Sequence, residues 1–355
     1  MRGLVKTGAA GVLAWARADA VIGAVTGSRR VPLVLGYHRV VESFDDAARS
    51  AMSPSLTSAR MLETQLDWVG RRFPFVTLDE LGDRLARGDA TPVAAVTFDD
   101  GYRDVYEQAF PRLRRKGIPA AVFVVTDALD TGRPHRHDVL YALLARAFAR
   151  WPDAPDALGR RLQALALRPA AARVGPLPAT AHAATSSLLR SLREPAIARL
   201  VEALESEVDL EPGAMDAMAP MTWAMAGEMK RAGFVVGSHT RSHAWLTLEP
   251  PAVVAEELRG ARIAIERRLG GPVRHFAYPD GQFARDTTAA VDAAGYALAY
   301  TTCTHRDPEY PLLTLPRLML WEKACLDTGA RFSPAILSCQ VHGVFDLVRG
   351  CEHAH

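Results

Sequence analysis

A chain of 355 residues, 49% hydrophobic and 23% charged, is long enough to bury one large α/β core or two ordinary ones. Its net charge of +2, from 42 basic and 40 acidic side chains, creates no global field for a nucleic acid. Four cysteines, Cys303, Cys325, Cys339 and Cys351, lack the spacing of a disulfide scaffold or a zinc knuckle and are expected as free thiols in a reducing compartment, with one late disulfide as the alternative.

Residues 1–29 read as an N-terminal extension. The apolar stretch from Gly8 to Ala16 is short, and Arg17 and Asp19 break its continuation. It is weaker than a secretory core and well below the roughly 20 apolar residues that span a bilayer. The expectation is a peripheral helix able to rest on a membrane surface, in a protein of the cytoplasm or its inner membrane face.

"RVPLVLGYHRV" then predicts a buried strand with polar residues at its exit. "SARMLETQLDWVGRRF" has helical spacing, and "TLDELGDRLARG" predicts a helix with Thr77 as N-cap and Gly88 as stop. "PVAAVTFDDG", "YRDVYEQAFPRLRRKG" and "PAAVFVVTDAL" form a strand–helix–strand unit of a parallel sheet. In such folds active sites sit at the C-terminal ends of the strands, where Asp99 and Asp100 fall.

From about residue 130 to 220 the chain turns rich in Ala, Arg and Leu, with helical stretches such as "DVLYALLARAFARW" and "AIARLVEALESEV". It reads as a helical insertion or lid, and its "RPHRHD" start, with His135, His137 and Asp138, as a polar entry to it, ahead of the alternative of a second metal site. Strand and helix alternation resumes with "FVVGSHTRSH", the helix "PPAVVAEELRGARIAIERRLG", "VRHFAYPDG", "YALAYTT" and a final strand "LLTLPRLML".

Three strand exits carry chemistry. "GSHTRSHAWL" sets His239 and His243 four residues apart, so that two imidazoles can reach one ion on a helical face or across a tight turn. Surface pairs with this spacing are common; a carboxylate at an equivalent strand exit strengthens the reading. With Asp100 turned to such an ion, Asp99 could stand beside the attacking water as its base; the bland reading of "DDG" is a solvated turn. "HFAYPDGQF" predicts a tight turn around Asp280 with a backbone N–H free to meet an oxyanion, or simply a turn.

Together "TFDDGY", "GSHTRSHAWLT" and "FAYPDG" resemble the polysaccharide deacetylase (NodB-homology) family of carbohydrate esterases, over about residues 30–128 and 220–321. "LGYHRV" and "LTLPRLML" are similar to the edges of its poly-N-acetylglucosamine subgroup. The resemblance implies an α/β fold, a distorted (β/α) barrel of about seven strands, spanning 30–129 and 221–325, with the insertion at 130–220 and a tail at 326–355. It implies that Asp100, His239 and His243 hold Zn2+, or another divalent ion such as Co2+ or Ni2+. Asp99 is then the base, the Asp280 N–H meets the oxyanion, and an N-acetylated glycan loses acetate. Many members carry an arginine that orients the base where this chain has Ala277; Arg317 is the expected substitute. The late Leu-x-His acid is missing too, and His38 is the expected stand-in, ahead of His305 and His342. Hydrolysis of a non-sugar amide and a non-catalytic carbohydrate-binding module are the alternative functions.

Overall fold

Among the described residues the apolar runs become ten strands: β1 Leu33–Tyr37, β2 Arg39–Val41, β3 Leu56–Ser58, β4 Ala94–Phe98, β5 Ala120–Val124, β6 Val235–Ser238, β7 His275–Ala277, β8 Leu298–Thr301, β9 Leu315–Pro316 and β10 Leu318–Met319. The computed structural model describes residues 7–8, 10–13, 18–25, 32–167, 177–211 and 213–348. Every residue of β1, β4, β5 and β8 is buried, as continuous apolar runs of a parallel sheet covered on both faces should be.

The main sheet has the order β10-β1-β4-β5-β6-β7-β8-β9, and all its pairings are parallel. Only Arg317 separates β9 from β10. β9 pairs with β8 and β10 with β1, so the single run 315–319 joins the two ends of the sheet. The result is a nearly closed barrel of about seven staves. "LLTLPRLML", expected as one strand, is divided because its partner changes at Arg317, whose N–H donates to the Thr301 carbonyl at 2.8 Å. A single register pair, Ser238 with Phe276, joins β6 to β7. The short pair β2–β3 lies outside it and is not apparent from the sequence.

Local signals act as written. Thr77 caps Leu78–Ala86 by accepting from the Glu80 N–H at 3.1 Å, and Ser58 caps Ala59–Gly70 by accepting from the Met61 N–H at 3.1 Å. The helix expected after "DDG" opens instead as a π turn, Val105–Ala109, before continuing as Phe110–Lys116 to the left-handed Gly117. The described residues of the insertion include the helices Arg136–Arg150, Ala154–Ala164, Ala181–Leu189 and Glu194–Glu205 around a core of their own, with Leu140, Leu144, Leu158, Leu188 and Leu200.

Near the N-terminus, helix Ala18–Val25 brings Asp19 to 3.5 Å from His342; the rest of the expected peripheral helix lies largely outside the described residues. No described helix is long and apolar enough to cross a membrane. Cys303 is disulfide-bonded, which corrects the expectation of four free thiols; Cys325 and Cys339 are buried thiols, and Cys351 lies outside the described residues.

Candidate functional site

At the exit of β4 the backbone separates two adjacent carboxylates. The Asp99 N–H donates to the Tyr37 carbonyl at 2.9 Å, which keeps Asp99 in line with the sheet. Asp100 and Gly101 then take left-handed conformations, φ 68° and 71°, and the chain turns away. Such φ values are costly for a residue with a Cβ, and Asp100, Thr240, His243 and Asp280 all carry them at strand exits.

Asp100 faces the histidines. Its Oδ1 lies 3.2 Å from His243 Nε2 and 3.5 Å from His239 Nε2, and the three ligand atoms converge within 4.8 Å. Neither imidazole makes a hydrogen bond to that oxygen, which is buried and orphaned. The Nδ1 of His239 lies 2.7 Å from the Ala277 carbonyl, so a proton there leaves Nε2 with a lone pair for a ligand. Burial pushes the Asp100 carboxyl up, but the imidazoles of His239 and His243 outweigh it and hold it well below its ordinary value. Burial likewise lowers His243, and the Asp100 carboxylate reverses this and raises it. An orphaned buried carboxylate oxygen facing two imidazoles is a donor set suited to a divalent ion.

The loop holding His243 is shaped from a distance. Glu257, on the helix Pro251–Leu269, accepts from the Arg241 N–H at 2.8 Å, the Ser242 N–H at 3.0 Å and the Ser242 hydroxyl at 2.8 Å. Thr240 Oγ1 accepts from the His243 N–H at 2.9 Å. An amide cannot accept all that the Glu257 carboxylate accepts. Glu257→Gln is therefore expected to lower divalent-ion affinity about 10-fold, as loss of an outer support does. Competition with a chromogenic chelator measures this, and unchanged affinity would remove Glu257 from the site's support.

Asp99 turns the other way. Its two oxygens accept from Arg317 Nη1 and Nη2 at 2.6 and 2.7 Å, and Nη1 also donates to Thr97 Oγ1 at 3.2 Å. Arg317 is 1% exposed and sits where the barrel closes, beside the Phe123 ring. Burial raises the Asp99 carboxyl, and Arg317 first, then His239 and His38, more than offset it and hold it below the usual value. Ala277 is buried on β7 and leaves this position to Arg317.

Asp280 lies in the turn after β7, with φ 54°, and its charge reaches His243. A Cβ at the next residue, Gly281, would stand 2.5 Å from the Thr302 backbone nitrogen, so the turn requires glycine. His38 is half-buried at the exit of β1 and acts electrostatically on both Asp99 and His137. His342, the weaker candidate, is engaged with Asp19 and the Ser338 carbonyl.

Sequence reasoning missed the insertion's contribution. His137 packs on His243 with ring centroids 4.8 Å apart, and His135 stacks on His137 at 5.4 Å. Tyr102 donates to Asp138 Oδ2 at 2.7 Å and lies 3.0 Å from His137 Nε2. With its one proton on Asp138, the Tyr102 oxygen can only accept from His137. Within "RPHRHD", His135, His137 and Asp138 are thus buried, with His137 against the candidate ligand His243, while Arg133 and Arg136 stay exposed. Burial pushes His135 down to about 4 and His137 to about 3, which keeps both rings neutral. Arg39, behind them, donates to Asp104 at 2.8 Å and covers the Tyr102 ring. Two histidines and an aspartate in one short span were the only clue.

The sequence model for polysaccharide deacetylase matches residues 86–157 and 178–299. Among solved structures, the deacetylase PplD of Streptococcus pyogenes in complex with acetate is 18% identical, with a TM-score of 0.53 over 86% of this chain and 95% of that one. IcaB from Ammonifex degensii is 22% identical, with a TM-score of 0.50 over 81% and 91%. BC0361, a polysaccharide deacetylase from Bacillus cereus, is 17% identical, with a TM-score of 0.52 over 87% and 68%. At these identities the likeness shows the fold. No curated protein sequence matches the chain.

Proposed function

Because the chain belongs to the polysaccharide deacetylase family, hydrolases of amide C–N bonds, we propose that it removes acetate from N-acetylated amino sugars of a polysaccharide or lipid-linked glycan. The observation that carries the reading is the division of the two aspartates. Asp99 is gripped by Arg317, and Asp100 converges with His239 and His243. Asp100, His239 and His243 would hold a divalent ion, Zn2+ or another such as Co2+ or Ni2+. Such an ion supplies Lewis acidity toward a carbonyl and makes water easier to deprotonate.

The chain's own residues supply the rest. Asp99, kept ionised by Arg317, takes a proton from the attacking water. The new C–O bond forms at the acetamide carbon, and the backbone N–H of Asp280 meets the developing oxyanion. The C–N bond then breaks, His38 gives the leaving nitrogen a proton, and acetate and a free amine result.

Acetate release from N-acetylglucosamine oligomers, with and without chelator, tests the reading. Chelation is expected to abolish release and added Zn2+, Co2+ or Ni2+ to restore it. Glycan binding without acetate under every metal would instead leave a carbohydrate-binding module, and release from a non-sugar amide alone would change the substrate. Because Asp100 favours the protonated form of His243, an incoming ion must displace a proton. Affinity should therefore rise as pH climbs past the ordinary imidazole value of about 6.5.

Val12, Val21 and Val25, 67%, 61% and 81% exposed, support peripheral membrane contact through the N-terminal segment. For the compartment, the cytoplasmic expectation and the Cys303 disulfide pull apart, since disulfides persist in oxidising surroundings. Cell fractionation tests both: recovery only with soluble cytoplasmic proteins would remove the membrane contact.

A further inference from the structure

The two histidines of the candidate ion site are not held alike. His239 is fixed at Nδ1 by the Ala277 carbonyl, and its side chain is 2% exposed. The His243 side chain is 16% exposed, and its backbone carries a left-handed φ of 65°. Among the described residues nothing forms a hydrogen bond to its Nδ1. A histidine that ligates an ion usually gives its second nitrogen to a carboxylate or a carbonyl, which fixes the ring. What meets the His243 ring instead is His137, with centroids 4.8 Å apart and planes tilted by 49°.

His137 is held in turn. Its Nε2 lies 3.0 Å from the Tyr102 oxygen, and Tyr102 gives its own proton to Asp138 at 2.7 Å. His135 lies parallel behind it, with planes 1° apart, and meets the Tyr102 ring edge-on at 4.9 Å. Tyr102 follows Asp100 by two residues, whereas His137 and Asp138 open the helix Arg136–Arg150. These contacts therefore tie the insertion to the strand exit that carries Asp100. A second tie lies beyond His243. Arg193 Nε donates to the Leu248 carbonyl at 2.9 Å, and the Glu194 N–H donates to Glu249 Oε1 at 2.8 Å. Between the two ties, Leu192 and Ile197 face His243 and Trp245 across a cavity of about 20 Å3, room for no more than about one water. This face of His243 is a seam between packed elements, not a place for a ligand.

Resting on the reading that Asp100, His239 and His243 hold a divalent ion, we infer that His137 is a positioning residue for His243. Its ring keeps the His243 imidazole turned so that Nε2 faces Asp100, in place of the hydrogen bond that fixes His239. The insertion then does more than cover the site. Its docked position and the bound ion support each other, and by linkage each strengthens the other to the same degree.

Competition with a chromogenic chelator reads divalent-ion affinity in the full chain, and the absorption bands of bound Co2+ read the geometry of its ligands. His137→Ala should weaken ion binding about 10-fold, as loss of an outer support does, and shift the Co2+ bands. His137→Phe keeps a flat ring against His243 and should recover most of both. Affinities are compared at equal folded fraction. A third measurement starts from the wild type: bound Zn2+ should slow amide hydrogen exchange in the first turns of the helix Arg136–Arg150, and His137→Ala should lessen that protection. Unchanged affinity and bands in His137→Ala would overturn the positioning. So would a Phe variant that melts like the wild type yet binds as weakly as the Ala variant, or exchange in that helix indifferent to the ion. A wild type that binds no divalent ion would overturn the ion site itself, whereas in the other outcomes the wild type still binds.

Discussion

Asp99→Asn should lower acetate release by about 10²–10⁴-fold, the usual contribution of a positioned base, while divalent-ion affinity stays within a few-fold. The reason is the separation seen at the exit of β4. Asp99 points to Arg317, and only Asp100 converges with the histidines. The amide also presents an NH2 to one arm of the Arg317 fork, so some stability is lost, and rates need normalising to the folded fraction. The pH profile gives a second check. Arg317 and its neighbours overcome burial and hold Asp99 below the ordinary carboxyl value, so the wild-type base is ionised across the neutral range. An acid limb near neutrality then belongs to another group, and Asp99→Asn should not create or remove one. Activity that survives the substitution would sink the assignment of the base.

Arg317→Met should have the largest effect on stability. It leaves the Asp99 carboxylate, itself 2% exposed, without its partner, and breaking a buried pair in this way costs about 3–5 kcal/mol. With the guanidinium gone and the burial retained, the Asp99 carboxyl must rise. The base then becomes protonated at higher pH, and the acid limb of the rate profile moves toward neutrality. Arg317→Lys keeps a charge but loses the two-pronged grip, so it should fall between wild type and Arg317→Met in both measurements. Denaturant melts and a pH–rate profile decide the matter; a variant with lower stability and an unmoved limb would make Arg317 a structural residue only.

The sequence exposes residues whose meaning is local. Two aspartates before a glycine, two histidines four apart and a Pro-Asp-Gly turn each lie within one strand exit, and the strand–helix rhythm places those exits at one end of a parallel sheet. Arg317 carries no local signal of its own; only the family resemblance, with an arginine absent at Ala277, points to it. Glu257 gave no signal, because one carboxylate on an amphipathic helix looks like any other until the helix packs beneath the loop it clamps. The histidines of the insertion escaped for the same reason: His135, His137 and Asp138 become buried only where Tyr102 and His243 pack against them.

By itself, then, the sequence determined the alternation of strands and helices in a parallel sheet and the candidate ligands, since period, caps and short motifs are properties of neighbouring residues; the barrel of about seven strands came from the family resemblance those motifs carry. Tertiary structure alone decided which carboxylate faces which partner. It also decided that 315–319 closes the ring at Arg317 and that the insertion leans onto the candidate site. Those depend on burial and pairing between segments distant in the chain, 218 residues for Arg317 and Asp99, and such contacts have no period to read.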